Sequence, residues 1–204
     1  VKSTAIDPRV LDKNGVFDRV LRARVFVREK DAVAAIKGQG SDPVRPGDAV
    51  VLIGRGPMGS GMEETYQVTS ALRYLPWGHE VAVITDARFS GVSTGACIGW
   101  VTPEALAGGP VSRVRDGDRV RIVIDTRNLR GSVDLVGDSE KDLSPEEAEK
   151  VLTERLPHPE LRPDEDLPED TRLWAMLQHI SGGPWAGCVF DREAILRCLR
   201  PSQD

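Results

Sequence analysis

The sequence predicts a mixed α/β fold, in which short strands form the core and helices follow toward the C-terminus. Three observations support this fold class. Several short apolar runs have the composition of buried or half-buried strands. Two of these runs lead directly into loops rich in glycine and small polar residues. The C-terminal part of the chain carries helical patterns instead of strand patterns.

The strands are predicted from runs of apolar or alternating residues. Residues 49–53 and 80–85 are predicted as strands. The first run is wholly apolar and the second mainly apolar, which is typical of strands in a sheet with both faces covered. Residues 23–27 and 119–125 alternate polar and apolar side chains, which is typical of a half-buried strand. A further strand is predicted at 132–136, after the turn at 128–131.

The helices are predicted from apolar spacing and from their start signals. Helices are expected at 31–37 with Asp31 as N-cap, at 63–75, and after Thr102, where Pro103 would take the first helical position. The C-terminal helices are expected at 144–156, 171–180 and 191–199. Ser144 and Glu147 have the spacing of a capping box, and residues 157–170 are predicted to be irregular.

Composition excludes several classes of function. The chain has 27 Lys and Arg against 32 Asp and Glu, so its net charge of −5 argues against a nucleic-acid-binding surface. The sequence has no stretch of about 18 apolar residues, so no membrane span is predicted. The start at Val1 instead of Met suggests a truncated longer polypeptide.

The cysteines predict a reduced, cytoplasmic protein. Cys97, Cys188 and Cys198 are odd in number and have no paired spacing, so a disulfide framework is not expected. The same spacing excludes a complete zinc or iron–sulfur site built from these residues alone.

Two glycine-rich loops are the candidate functional segments. The loop at 54–62 offers backbone N–H groups to an anion, but a tight connection explains it equally well. The loop at 86–95 presents Ser90 just past a buried strand, where its hydroxyl can act as nucleophile, proton carrier or ligand donor, or only shape a turn. The three histidines lie in contexts that do not support a hydrolase triad.

Taken together, the two loops resemble the dihydroxyacid/sugar-acid dehydratase family. The resemblance rests on ordered motifs that span at least residues 46–136. They include Gly56-Pro57-x-Gly59, Gly61-Met62-x-Glu64, Ile84-Thr85-Asp86-Ala87-Arg88-Phe89-Ser90-Gly91 and Thr102-Pro103-Glu104-Ala105. Other segments are more similar to the xylonate-type members, among them Met62-Glu63-Glu64-Thr65-Tyr66-Gln67.

The resemblance implies that residues 1–204 are the C-terminal domain of a longer dehydratase. This is a swivelling β/β/α domain, with a mixed β-barrel core over 1–140 and a helical tail over 141–204. The implied partner is an N-terminal catalytic domain, which supplies the ligands of an iron–sulfur cluster and most ligands of a Mg²⁺ ion. The implied enzyme is a homo-oligomer that binds neither nucleic acid nor membrane, and the isolated chain is expected to be inactive.

The resemblance also assigns roles to individual residues. It implies a hydro-lyase that converts a 2,3-dihydroxy sugar acid into a 2-keto-3-deoxy acid, with Ser90 as the base and Glu64 as a carboxylate that reaches the magnesium site. The candidate substrate-binding residues are Gly59, Ser60, Arg88, Ser93 and Thr94. Arg88 has an alternative role, an ion pair with Asp86 or another acid that holds the loop. The chain departs from commoner members in a shorter loop at 59–61 and in Val92.

Two alternative functions remain open at the level of sequence. One is a non-catalytic module of the same fold that binds a small anion, and the other is the small subunit of a two-chain hydro-lyase. The dehydratase hypothesis predicts an exposed apolar patch where the partner domain docks. Trp174 and Trp185 of the tail are expected to pack in the core, with packing on a neighbouring subunit as the alternative.

Overall fold

The computed structural model describes residues 1–200, which form strands, α-helices and short 3₁₀ turns. The predicted tail therefore has its last residues, 201–204, outside the described part. The strands are β1 (Val16–Phe26), β2 (Asp48–Leu52), β3 (Glu64–Thr65), β4 (Ala82–Thr85), β5 (Arg88–Phe89), β6 (Ala96–Ile98), β7 (Arg119–Asp125) and β8 (Arg130–Gly137). The α-helices are α1 (Glu29–Ile36), α2 (Pro57–Ser60), α3 (Gln67–Arg73), α4 (Pro145–Glu154), α5 (Glu169–Ile180) and α6 (Arg192–Leu199).

Six strands form one mixed sheet in the order β6-β4-β2-β1-β7-β8. The strands β6, β4, β2 and β1 are parallel, whereas β7 and β8 pair antiparallel. The long strand β1 joins the two halves, since its first part pairs with β7 and its last part with β2. The parallel half places the carboxyl ends of four strands at one edge of the sheet.

The side chains of β2 and β4 divide between two cores, one on each face of the sheet. Ala49 and Val51 pack with Ile84 on one face, while Val50 packs with Val83 on the other. This alternation follows from the period of two along a strand. All residues of both strands are buried, which confirms the predicted strands that are covered on both faces.

The sheet curls around the first of these cores. Val51, Ile84, Val120 and Leu135, from strands in both halves of the sheet, line one small cavity of about 120 Å³. The helices α1 and α3 pack on the opposite face. The predicted mixed α/β class with flanking helices is therefore confirmed, and the sheet forms a half-barrel whose end strands β6 and β8 are not paired with each other in the described residues.

Several predicted elements differ in the structure. The first strand begins at Val16 instead of residue 23, because antiparallel pairing with β7 extends it through charged positions. The helix predicted from residue 63 begins only at Gln67, since residues 64–65 form a strand. Asp31 does not cap α1, which begins at Glu29; it forms an ion pair with Arg28 instead.

The helix expected after Thr102 is wrong. Residues 105–107 form a 3₁₀ turn, and Glu104 before it is extended. Glu104 directs its carboxylate to a backbone N–H of another loop, and the N–H of Ala105 binds the carboxylate of Asp86. These two long-range hydrogen bonds occupy the groups of Glu104 and Ala105 at the position where the predicted helix would begin. The sequence analysis also missed β6 and the short helix α2.

The predicted tail helices are present, but the tail is more exposed than expected. The capping box of Ser144 and Glu147 is formed at α4, and Asp191 caps α6. Trp174 and Trp185 are 59% and 71% exposed, so the expectation that they pack in the core is wrong. Exposed apolar side chains are concentrated in this region. No helix in the part that the structure describes is long and apolar enough to cross a membrane.

Candidate functional site

The candidate site lies at the carboxyl edge of the parallel strands. The loop at 53–62 follows β2, the loop at 86–95 follows β4, and residues 99–104 follow β6. Because β2, β4 and β6 are parallel neighbours, their three loops meet at one edge of the sheet. This edge is where open α/β sheets place ligands, as the glycine-rich loops predicted.

Asp86 joins these three loops through a buried carboxylate. The side chain is 1% exposed and accepts hydrogen bonds from the backbone N–H groups of Gly54 (3.0 Å), Arg55 (2.9 Å) and Ala105 (3.0 Å). Burial raises the pKa of Asp86, and the three N–H donors oppose that rise. Asp86 is thus a structural centre of the site and not the partner of Arg88.

Glu104 is a second buried carboxylate, which fixes the short helix α2. Its two oxygens lie 2.9 and 3.1 Å from the backbone N of Met58. Burial is the main reason that its pKa rises to about 7, and the neighbouring negative charge of Asp86 adds to the rise. Glu104 therefore changes its charge near neutral pH.

Arg55 links the glycine-rich loop to the tail. Its side chain is nearly buried and forms ion pairs with Glu63 of the same loop and with Asp164. The backbone N–H of Asp164 also donates to the carbonyl of Gly59 at 3.2 Å. A buried guanidinium needs such partners, because an unpaired charge in this position costs several kcal/mol. The segment around Asp164 is thereby held against the loop.

The structure brings together two predicted site residues, Glu64 and Arg88. The strands β3 and β5 pair in parallel, which places the two residues side by side. Their side chains form an ion pair of 2.5 Å, and Arg88 Nε donates to the carbonyl of Met62 at 2.9 Å. Both side chains are nearly half exposed. The structure thus pairs Arg88 with an acid, Glu64, while its role in substrate binding stays a prediction.

Ser90 lies two residues after Arg88, in a tight turn. The N–H of Ser93 donates to the carbonyl of Ser90 at 3.1 Å, and the N–H of Val92 donates weakly to the Ser90 hydroxyl at 3.4 Å. The turn is held by the ammonium of Lys2, which donates to the carbonyls of Gly91 and of Ser93 (3.3 Å). Within the described residues, the Ser90 hydroxyl has no hydrogen bond to a side-chain base.

Three other candidate residues shape the loops in this structure. The hydroxyl of Ser60 is buried, donating to the carbonyl of Arg55 at 2.7 Å and accepting from the N–H of Glu63 at 3.2 Å. The hydroxyl of Ser93 is buried and accepts from Thr69 at 3.2 Å. Gly59 packs directly against the carbonyl of Gly54. Their role in substrate binding stays a prediction.

Thr94 faces a different part of the surface. It lines a groove of about 690 Å³ together with residues 5–9, Arg73 and His79. Glu64 and Arg88 do not line this groove. The structure therefore does not join Thr94 to the Glu64–Arg88 pair.

The described residues do not form a metal or cluster site by themselves. No group of three or more His, Cys, Asp or Glu side chains among residues 1–200 is close enough to bind a metal ion. Cys97 is buried, Cys188 half-buried and Cys198 exposed, and none forms a disulfide. Burial raises the pKa of Cys97 to about 12, which disfavours the thiolate that a cluster needs. Glu64 can offer one carboxylate to a Mg²⁺ ion, which prefers six oxygen ligands.

Lys2, Arg55 and Glu104 were not predicted as site residues, and of the acids considered as partners of Arg88 the structure shows Glu64 and not Asp86. Their partners lie far away in the chain and carry no periodic signal. The one available signal was the position of Asp86 and Glu104 after predicted or actual strands of a parallel sheet. Carboxylates at that edge can accept the backbone N–H groups of neighbouring loops.

Comparison with known proteins identifies similar sequences. The family profile described as dihydroxy-acid/6-phosphogluconate dehydratase C-terminal matches residues 1–159. The chain is 51% identical to the D-xylonate dehydratase YagF and 53% identical to the D-xylonate dehydratase YjhG, both of Escherichia coli (strain K12). These alignments cover 98% of this chain and 30% of each relative. The dihydroxy-acid dehydratase of Ignicoccus hospitalis is 44% identical over 66% of this chain and 23% of its own length.

Proposed function

Since the chain belongs to the dihydroxy-acid/6-phosphogluconate dehydratase C-terminal family, we propose that it is the swivelling domain of a hydro-lyase acting on a sugar acid. The chain spans about 30% of the length of the D-xylonate dehydratases that it matches. The remaining part of such an enzyme is the proposed partner, and D-xylonate is the proposed substrate. The active protein is a homo-oligomer of the longer polypeptide.

One observation carries this proposal. The family resemblance assigns chemistry to Glu64 and Ser90; Glu64 lies in β3, just after the loop at 53–62, and Ser90 lies just after its partner strand β5. Strand pairing sets Glu64 beside Arg88, and Ser90 follows two residues later. A module that only bound an anion would not need a carboxylate beside exposed Arg88.

The proposed reaction removes water from a 2,3-dihydroxy acid. The C2–H bond and the C3–O bond break, the proton and hydroxide leave as water, and the resulting enol tautomerises to a 2-keto-3-deoxy acid. Ser90 is proposed to take the C2 proton. A serine hydroxyl is too weak a base at neutral pH without activation, and none of the described residues supplies a side-chain base to it. Activation must therefore come from the partner domain.

Arg88 and Glu64 are proposed to change partners when the enzyme assembles. Their ion pair is half exposed, so its contribution to stability is small, about 0–1 kcal/mol. Separating the pair is therefore easy. Arg88 would then bind the carboxylate of the substrate, since a guanidinium matches a carboxylate with two hydrogen bonds.

The cofactors are part of the proposal. We assign the iron–sulfur cluster and the Mg²⁺ ion of the whole enzyme to residues outside this chain, with Glu64 as the single ligand from this domain. Bound there, they would supply Lewis-acid stabilisation of the leaving hydroxyl and of the enolate.

Recombination tests the proposed function. The chain is assayed for 2-keto acid formation from a panel of aldonates, alone and with the rest of the polypeptide under anaerobic conditions with iron and magnesium. Activity only after recombination is the expected result. Activity of the chain alone would contradict the mechanism. An assembled, cluster-loaded complex without activity would favour the anion-binding module.

Glu64→Gln provides the residue-specific arm of this experiment. The substitution removes the charge of the proposed ligand and keeps its shape, so activity of the assembled enzyme is expected to fall at least about 100-fold. Glu149→Gln, on the exposed face of α4, is the matched control and should leave activity unchanged. Equal activities of the two variants would exclude Glu64 from the metal site.

A further inference from the structure

The tail segment 161–188, named here the loop clamp, is attached to the glycine-rich loop of the site. The backbone N–H of Asp164 binds the carbonyl of Gly59, and the carboxylate of Asp164 pairs with buried Arg55. At the far end of the clamp, the indole N–H of Trp185 donates to the carbonyl of Ala107 at 2.8 Å. The clamp is therefore fixed at several points to loops at the site edge.

The loop clamp also packs tightly against the site loop at Gly61. This residue has φ +62°, and a Cβ placed on it would lie 2.9 Å from Cβ of Trp174 and 2.9 Å from the carbonyl oxygen of Thr171. Helix α5 thus packs directly against the loop at Gly61. The next residue, Met62, accepts a hydrogen bond from Arg88 through its carbonyl. Trp174 extends from this contact with more than half of its surface exposed.

The comparisons with known proteins differ in how much of the chain they cover. The family profile ends at residue 159, before the clamp begins. The alignments with the two D-xylonate dehydratases cover 98% of the chain and therefore include it. The alignment with the dihydroxy-acid dehydratase of Ignicoccus hospitalis covers 135 residues, 66% of the chain. A segment beyond the family profile is thus in contact with a loop inside it.

We propose that the loop clamp is the substrate-selecting element of the site, with Trp174 contacting the carbons beyond C3 of a straight-chain polyhydroxy acid. This inference rests on the proposed function. The carboxylate, C2 and C3 are common to all 2,3-dihydroxy acids, so residues that select a longer substrate must lie beside the reaction centre and not within it. An exposed indole offers an apolar face to the C–H groups of a polyol chain, and its N–H offers one hydrogen bond.

Trp174→Ala in the full-length enzyme tests the proposal. The KM for D-xylonate is expected to rise about 10-fold while kcat changes less than about 2-fold. 2,3-Dihydroxy-3-methylbutanoate, a short branched acid with the same carboxylate, C2 and C3 pattern, is added as the competing ligand, and its inhibition constant is expected to stay within about 2-fold. Leu173→Ala, a neighbouring and similarly exposed residue of α5, is the matched control and should change neither constant.

A second pair of variants tests the attachment of the clamp. Asp164→Asn removes one of the two carboxylate partners of buried Arg55 and leaves Glu63 in place. It is expected to reduce selectivity for D-xylonate in the same direction as Trp174→Ala. Asp166 lies in the same segment, and Asp166→Asn removes only its exposed ion pair with Lys30. This variant should leave the selectivity for D-xylonate unchanged.

The outcomes separate the inference from the proposed function. An unchanged KM in Trp174→Ala, or an equal rise of the constants for both acids, would overturn the clamp as a selecting element, while wild-type turnover would leave the proposed function intact. A cluster-loaded wild-type enzyme that dehydrates neither acid nor any other aldonate would overturn the proposed function, and the inference with it.

Discussion

Replacing Asp86 by Asn should destabilise the fold far more than an ordinary change of a surface charge. The carboxylate accepts three backbone N–H groups, two of them through the same oxygen. An asparagine amide can keep those two with its oxygen, but its NH₂ group then faces the N–H of Arg55. The buried N–H of Arg55 loses its acceptor and lies against the NH₂ group, which is also a donor. Together these effects lower the free energy of unfolding by about 2–4 kcal/mol. That is a large part of the 5–15 kcal/mol by which domains are typically stable.

Urea denaturation followed by circular dichroism measures this effect. With a slope of about 2 kcal/mol per molar urea, the midpoint for Asp86→Asn should fall by about 1–2 M. Asp125→Asn is the matched control, because Asp125 also accepts two backbone N–H groups but in a solvent-exposed turn. Its midpoint should change by less than about 0.3 M. Equal shifts in the two variants would refute the role of Asp86 as the junction of the three loops.

Three further predictions concern the same edge of the sheet. The folded protein raises the pKa of Glu104 from 4.5 to about 7, so the stability that this group contributes is complete below pH 4.5 and is lost as the pH rises to 7. The loss is about 3 kcal/mol, and urea midpoints at pH 5 and 7.5 should show it in the wild type but not in Glu104→Gln. Gly59→Ala places a Cβ 2.0 Å from the carbonyl of Gly54 and should cost roughly 3 kcal/mol in the same assay. In the full-length enzyme, Lys2→Met should reduce kcat about 10-fold without a comparable shift of the midpoint, because the turn of Ser90 loses the ammonium that holds it.

The local elements were predictable because their signals are contained in short stretches of sequence. The capping box of Ser144 and the buried strands β2 and β4 follow from adjacent residues. The start of β1 and the strand character of Glu64 depend on partners more than 20 residues away, which no local pattern reports. The helical spacing therefore predicted α3 but began it four residues too early, at residue 63 instead of Gln67.

The candidate site was predictable as a set of motifs but not as a geometry. The sequence placed Glu64, Arg88 and Ser90 in two loops, and parallel pairing of the strands explains why those loops meet. The buried carboxylates of Asp86 and Glu104 were not predicted as loop junctions, since their acceptor roles arise only when the backbones of three loops converge. The exposure of Trp174 also contradicted its apolar character, which predicts burial.

The most direct test of the central claim is the activity of Ser90→Ala in the full-length, cluster-loaded enzyme. Formation of 2-keto acid from D-xylonate is measured anaerobically, with Ser132→Ala on the distant strand β8 as the control. The proposed mechanism predicts a loss of kcat of at least about 1,000-fold for Ser90→Ala, with cluster content and urea midpoint unchanged, and wild-type activity for Ser132→Ala. A Ser90→Ala enzyme that keeps wild-type kcat would contradict the assignment of the base to this domain.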